Sequence, residues 1–250
     1  MRRLGVVLLS GGLDSTTVAA RARADGIEVV ALTFDYGQRH RRELESAGRV
    51  AALMGLRHEV VGLPAMHRLS WYSALTTGVI EVPRGRPVAD LGADVPSTYV
   101  PLRNTVFLTL AAALLESRVL GLIEGHEVEA GDVSAAIFIA ANAVDYSGYP
   151  DCRPEYFAAM RKALFEGSKM GRQYGVPILI ETPVLHLSKA GIVRLGLELG
   201  APLEHTWSCY EGGPVPCGDC DSCLLRARGF AEAGVEDPLL ARLRREGPSA

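Results

Sequence analysis

Residues 4–24 read LGVVLLSGGLDSTTVAARARA, and the first half of that stretch decides the fold. Residues 4–9 are a short apolar run, the pattern of a strand buried on both faces. Residues 14–24 have the composition of a helix. Between them lies Ser10-Gly11-Gly12-Leu13-Asp14-Ser15. At such a junction several backbone N–H groups point outward unpaired, and the helix dipole adds partial positive charge. Two glycines let the backbone approach an anion closely, and Ser10 and Ser15 supply hydroxyl donors. The loop is built for phosphate. Asp14, itself negative, cannot donate to phosphate; it caps the helix or holds a Mg²⁺ that bridges to a nucleotide. The turn is neither GxxxxGKS/T nor GxGxxG, which rules out a Walker loop and disfavours a dinucleotide fold. Taken alone, Ser-Gly-Gly also reads as an ordinary helix start after a glycine-rich turn.

Outward from this stretch, strands and helices alternate. Residues 27–34 (IEVVALTF) read as a second strand. Residues 39–54 read as a helix with Leu44, Ala47, Val50, Ala51 and Met54 on one side, and 57–61 as a third strand. The pattern breaks over 64–101, where Pro83, Pro87, Pro96, Gly78, Gly85 and Gly92 predict an irregular lid or binding loop. Helix returns at 102–117 and a fourth strand at 133–141. Turn chemistry follows at 145–154, a helix at 155–174, a fifth strand at 176–182 and a helix at 188–199. The fold class expected is α/β: a parallel sheet with helices on both faces. Residues 1–200 form the main domain, 201–250 a small annex, and the charged end after Pro238 is expected to fray.

Of the 250 residues, 48% are hydrophobic and 22% charged, a globular balance that excludes disorder and coiled coil. Lys+Arg 26 against Asp+Glu 29 leaves a net charge of −3, without the basic footprint of a nucleic-acid binder. RNA is not excluded by charge, but no nucleic-acid partner is expected. The longest apolar runs, such as 106–115, are too short to span a bilayer, so no membrane is expected. Arg2 and Arg3 before the first apolar run mimic a signal peptide. That run meets Gly-Gly instead of a small-residue cleavage site, so the chain reads as cytoplasmic.

Cys209, Cys217, Cys220 and Cys223 crowd the annex with two overlapping CxxC turns. Four thiolates can close a tetrahedron around Zn²⁺, with Gly213, Pro216 and Gly218 supplying tight turns. An iron–sulfur cluster competes for such a set, and a redox CxxC competes less well. A closed shell makes the metal structural, one ion per chain. Cys152 stands apart; it reads as a small buried side chain lining a pocket, without nucleophilic chemistry.

The SGGxDS turn directly after the first strand resembles the pyrophosphate loop (PP-loop) of the N-type ATP pyrophosphatases, which split ATP between the α and β phosphates. Further segments narrow the resemblance: DYGQRH at 35–40, YVPLRN at 99–104, DYSGYPDCRPE at 145–155, LSK at 187–189, TWSCY at 206–210 and CGDCDSC at 217–223. Together, over about residues 4–230, they are similar to the 7-cyano-7-deazaguanine synthase (QueC) family. The link at 118–132 is longer than the family's usual one.

That resemblance implies a Rossmann-like, adenine nucleotide alpha hydrolase-like fold and an ATP-dependent carbon–nitrogen ligase acting as a homodimer. Its substrates would be 7-carboxy-7-deazaguanine, ammonia and ATP with Mg²⁺. It implies that Leu9, Ser10, Gly11, Gly12, Leu13, Asp14, Ser15, Thr16 and Thr17 bind the ATP phosphates, and that Thr33 and Phe34 receive the adenine. Asp14, Ser15, Lys189 and Arg103 form the catalytic set, the two cations neutralising phosphate charge. Gln38, Arg39, Asp145, Tyr146, Ser147, Tyr149, Asp151 and Arg153 face the deazaguanine. Asp145 or Asp151 reads its N–H edge, and Tyr146 or Tyr149 stacks on its ring. In open α/β sheets ligands sit outside the carboxyl ends of the strands, where chain order gathers Ser10, 34–38 and 145–153. Two other readings compete. A tRNA-thiolating adenylase would need a sulfur-carrying cysteine or an RNA-binding appendage. A zinc module sensing nucleotide would bind ATP without turnover.

Overall fold

The computed structural model of the chain describes residues 1–38, 41–77, 79–85, 95–142 and 149–246. Five parallel strands form one sheet in the order β3-β2-β1-β4-β5. They are β1 (Arg2–Leu8), β2 (Glu28–Asp35), β3 (Arg57–Gly62), β4 (Val133–Phe138) and β5 (Ile178–Glu181). β1 is central, which explains its unbroken apolar run. Leu4, Val6 and Leu8 enter one core layer, and Val7 the other. The first layer packs the sheet against α4 (Arg103–Glu124), α5 (Pro154–Glu166) and α6 (Lys169–Tyr174). The second packs it against α1 (Leu13–Ala24), α2 (Arg42–Leu53) and α7 (Lys189–Glu198). The expected parallel sheet with helices on both faces is what forms.

Strand order reverses between β1 and β4, because the chain leaves β1 toward β2 and β3 and then crosses back over α4. Such a switch point splays the loops at the strand ends and opens a crevice there. α4 is long and apolar enough by composition to cross a membrane. Here Leu108, Ala111, Leu115 and Val119 are buried, and the helix covers β1 and β4 as the roof of the first layer.

Four expectations need correction. The 102–117 helix runs on to Glu124, absorbing part of the long link before β4. The 155–174 helix is two helices: the chain breaks at Gly167 and restarts at Ser168, whose hydroxyl accepts from the Gly171 N–H. The 64–101 excursion opens with a short helix, α3 (Pro64–Leu69). Its Ala74 and Val82 join Trp207, Cys209, Cys220, Cys223 and Leu239 in a third, small core. Within the charged end after Pro238, the described residues do not fray but form α9 (Pro238–Glu246), because Leu239 is 1% exposed in that core. α8 (Asp221–Ala233) packs on α7 and carries the annex onto the body.

Candidate functional site

A cavity of about 300 Å³ opens at the strand ends. The 10–15 loop forms its floor. Gly12 caps α1 with no side-chain partner, so the first amides of α1 keep no intrahelical acceptor. The Ser10 and Ser15 hydroxyls lie 3.0 Å apart, and Ser15 Oγ donates to the Gly12 carbonyl at 3.2 Å. Gly11 has φ +84°, and a Cβ there would sit 2.4 Å from Glu43 O and 2.6 Å from Ala47 N of α2. Only glycine fits. Its carbonyl accepts from Ser46 Oγ of α2 at 2.9 Å and from the Trp207 N–H at 2.9 Å.

Two cations flank this floor. Lys189 opens α7 behind its Ser188 cap, and its Nζ lies 2.7 Å from Asp14 Oδ2. Its stem passes Gly229 of α8 so closely that a Cβ there would stand 2.4 Å from Lys189 Cγ. Asp14 Oδ1 is buried with no partner among the described residues, an atom able to hold a cation. On the other wall Arg103 opens α4 behind Leu102, which is held at φ +55°. A left-handed leucine is strained, and its position sets the angle at which Arg103 enters the cavity. Burial works against the Arg103 charge, but Tyr36, Tyr149 and Asp151 around it raise the group above its ordinary value. Among the described residues it has no ion-pair partner. Its Nη1 reaches the Tyr36 hydroxyl at 3.5 Å. Phe34 and Phe107 stack at 4.1 Å beside them and give the cavity an apolar wall.

Among the residues expected from sequence, Leu9, Ser10, Gly12, Leu13, Asp14, Ser15, Thr33, Phe34, Gln38, Arg103, Tyr149 and Lys189 line this cavity. Gly11, Thr16 and Thr17 stand off its wall; the Thr17 hydroxyl donates back to Leu13 O at 3.0 Å. Thr33 Oγ1 donates to Leu9 O at 2.6 Å and so must accept from His58 Nε2. Gln38 spends its amide on its own turn, accepting from Tyr36 N and donating to Phe34 O. Asp151 is buried off the cavity wall, where its Oδ2 accepts from the Asn104 N–H at the start of α4. Burial pushes its carboxyl up, and Arg103 opposes the shift. Arg153 is exposed outside the cavity. Arg39, Asp145, Tyr146 and Ser147 lie outside the described residues. Tyr36, Phe107, Asn142, Ser208 and Arg226 also line the cavity. Tyr36 and Ser208 lie within the DYGQRH and TWSCY segments without an assigned role, whereas Phe107, Asn142 and Arg226 carry no local motif.

Cys152 lines the cavity as expected. Burial, and then the Asp151 charge, push its thiol up to about 12. It therefore stays protonated from pH 7 to 9 and supplies no thiolate. Cys152→Ser is expected to keep turnover within about twofold across that range. A loss of a hundredfold in steady-state rate would make the sulfur a participant.

In the annex the four sulfurs of Cys209, Cys217, Cys220 and Cys223 all lie within 4.8 Å of one another. Bonds of about 2.3 Å at tetrahedral angles would space them about 3.8 Å apart. The Cys217 and Cys223 sulfurs are 3.9 Å apart. Backbone N–H groups of Glu211 and Cys217 donate to the Cys209 sulfur at 3.4 and 3.3 Å, and Cys220 N donates to the Cys217 sulfur at 3.4 Å. Hydrogen bonds from Cys220 and Cys223 pull the Cys209 thiol far down, and Cys223 moves the opposite way. Four sulfurs so placed could hold a soft metal ion with no position left open.

Comparison with known proteins agrees over nearly the whole chain. The model of the family described as "Queuosine biosynthesis protein QueC" matches residues 4–234. The 7-cyano-7-deazaguanine synthase of Thermoplasma acidophilum is 52% identical over 238 residues, 95% of this chain and 92% of that protein. The enzyme of the same name from Thermosynechococcus vestitus is 50% identical, covering 94% of each chain. That from Trichormus variabilis is 48% identical over 94% of this chain and 96% of its own.

Proposed function

The chain belongs to the queuosine biosynthesis protein QueC family, and on that footing we propose that it is an ATP-dependent ligase converting 7-carboxy-7-deazaguanine and ammonia to 7-cyano-7-deazaguanine. A carboxylate is a poor electrophile, because oxide would have to leave. Attack of its oxygen on the α-phosphorus of ATP expels pyrophosphate and makes an acyl adenylate. Ammonia adds at the acyl carbon and AMP departs with that oxygen, leaving the amide. The amide oxygen then attacks a second ATP, and loss of AMP and protons from nitrogen leaves the nitrile. Both carboxylate oxygens end on AMP. One cavity can serve both activations, since each places AMP on the same substituent.

The observation that carries this reading is the placing of an amide-lined loop, Lys189 and Arg103 around one cavity. In the proposal the 10–15 loop receives the departing pyrophosphate, with Lys189 neutralising its charge. Asp14 holds the Mg²⁺ that accompanies ATP, through the oxygen that lacks a partner. The backbone at Thr33 and Phe34 receives adenine. Arg103, a cation with no ion-pair partner among the described residues, faces the substrate's acid. Tyr149 stacks on the deazapurine, and Asp145 reads its N–H edge, because Asp151 is engaged at the start of α4. The four cysteines take Zn²⁺, which would tie the annex down without reaching substrate. The size of the cavity and the acidic balance favour small-molecule substrates over nucleic acid, and the enzyme is taken to work as a homodimer.

The test is incubation with ATP, ammonia and ¹⁸O-labelled 7-carboxy-7-deazaguanine. AMP, pyrophosphate and nitrile should appear together, with both labels on AMP. ADP and phosphate in place of AMP would overturn the chemistry. Asp14→Ala should lower pyrophosphate release by at least about 10²-fold while metal content and fold are kept. Retained activity would remove Asp14 from the mechanism.

A further inference from the structure

Arg226 of α8 lines the cavity, yet it is buried and its guanidinium has no donor to spare. An arginine carries one N–H at Nε and two at each Nη. Nε donates to Asp237 Oδ2 at 2.6 Å, and Nη2 to Asp237 Oδ1 at 2.9 Å and Leu203 O at 3.4 Å. Nη1 donates to Thr206 Oγ1 at 2.9 Å and Ser208 Oγ at 3.3 Å. Every N–H is used. A group in this state holds protein, not ligand.

What it holds is the segment 206–208. The two hydroxyls it grips flank Trp207, whose N–H donates to Gly11 O. Gly11 C=O and Gly12 N–H belong to one trans peptide and point in opposite directions. Fixing that carbonyl from below turns the Gly12 N–H toward the cavity side, where it now rests on Ser10 Oγ at 3.3 Å. We propose that the Arg226–Asp237 pair is a positioning device that, through Thr206, Trp207 and Ser208, aims the Gly12 amide at the nucleotide's phosphates. This rests on reading the 10–15 loop as the phosphate site.

The experiment measures binding of inorganic pyrophosphate and of AMP to the metal-loaded full chain by calorimetry. Arg226→Met and Asp237→Asn should each weaken pyrophosphate by roughly tenfold or more and leave AMP within about twofold, with metal content unchanged. Asp237→Asn separates the roles. If Arg226 itself bound phosphate, removing its counter-charge would tighten pyrophosphate, and that result overturns the proposal. Equal loss of AMP and pyrophosphate affinity also overturns it, since a general loosening would do that. Should either variant fail to fold, Thr206→Val decides. It keeps the buried shape, stands off the cavity wall and removes the oxygen that Arg226 grips, along with that oxygen's own bond to Leu203 O. Pyrophosphate affinity equal to wild type would then sink the idea. A wild-type protein that binds no pyrophosphate would take down the phosphate-site reading itself.

Discussion

Gly11→Ala is expected to reduce kcat/KM by at least about 10²-fold while the protein still folds and binds its metal. The methyl group would meet Glu43 O at 2.4 Å and Ala47 N at 2.6 Å, both backbone atoms of α2. Neither can swing aside as a side chain would. Alanine also disfavours the left-handed φ of +84°, by about 1 kcal/mol or more. The loop must therefore lift away from α2 and lose the Ser46 and Trp207 bonds to the Gly11 carbonyl. The amides of Gly12 and the first turn of α1 would shift with it by a large fraction of an ångström. Steady-state release of AMP and pyrophosphate, measured beside metal content and melting temperature, checks this. Near-wild-type turnover would mean that the loop does not hold the transferring phosphates.

Cys220→Ser should leave the protein without metal and lower its melting temperature by roughly 10 °C. Cys220 is fully buried and caps α8, so its loss opens the sulfur cage at its inner corner. The core around it, Ala74, Val82, Trp207, Leu239 and the cysteines, buries too little apolar surface to hold its segments alone. The 64–101 excursion hangs on the same cage. Arg84 forms a β-bridge with Cys220 and an ion pair with Glu211 at 2.8 Å, and Gly85 N donates to Asp219 O. Limited proteolysis should therefore begin within 64–101 once the metal is gone, while the sheet keeps its two main core layers. A Cys220→Ser protein that retains one metal per chain and melts like wild type would show that this sulfur is not a ligand.

What the sequence left unread has more than one source. The tail after Pro238 looks solvated because Arg242, Arg244, Arg245 and Glu246 dominate it. One leucine, Leu239, and the Arg226–Asp237 pair are enough to dock it. The break in 155–174 is itself local: Gly167 stops one helix, and Ser168 caps the next by accepting from the Gly171 N–H. Asp151 has the chemistry to read a guanine-like edge, and its Oδ2 also accepts from the Asn104 N–H at the start of α4. For Leu239 and Asp151 the partners lie far along the chain, and local pattern carries no record of them.

The order of residues by itself determined the parallel sheet, the anion-seeking turn after β1 and the sulfur cage. All three are local: side-chain alternation makes strands, two glycines free a junction, and three-residue spacing brings sulfurs together. Only the tertiary structure decided that Lys189 meets Asp14 and Arg103 faces the same cavity. It also decided that a buried arginine, Arg226, grips Thr206 and Ser208 on either side of Trp207. Those arrangements follow from helices packing across the sheet, and packing depends on shape complementarity between segments that no short stretch of chain encodes.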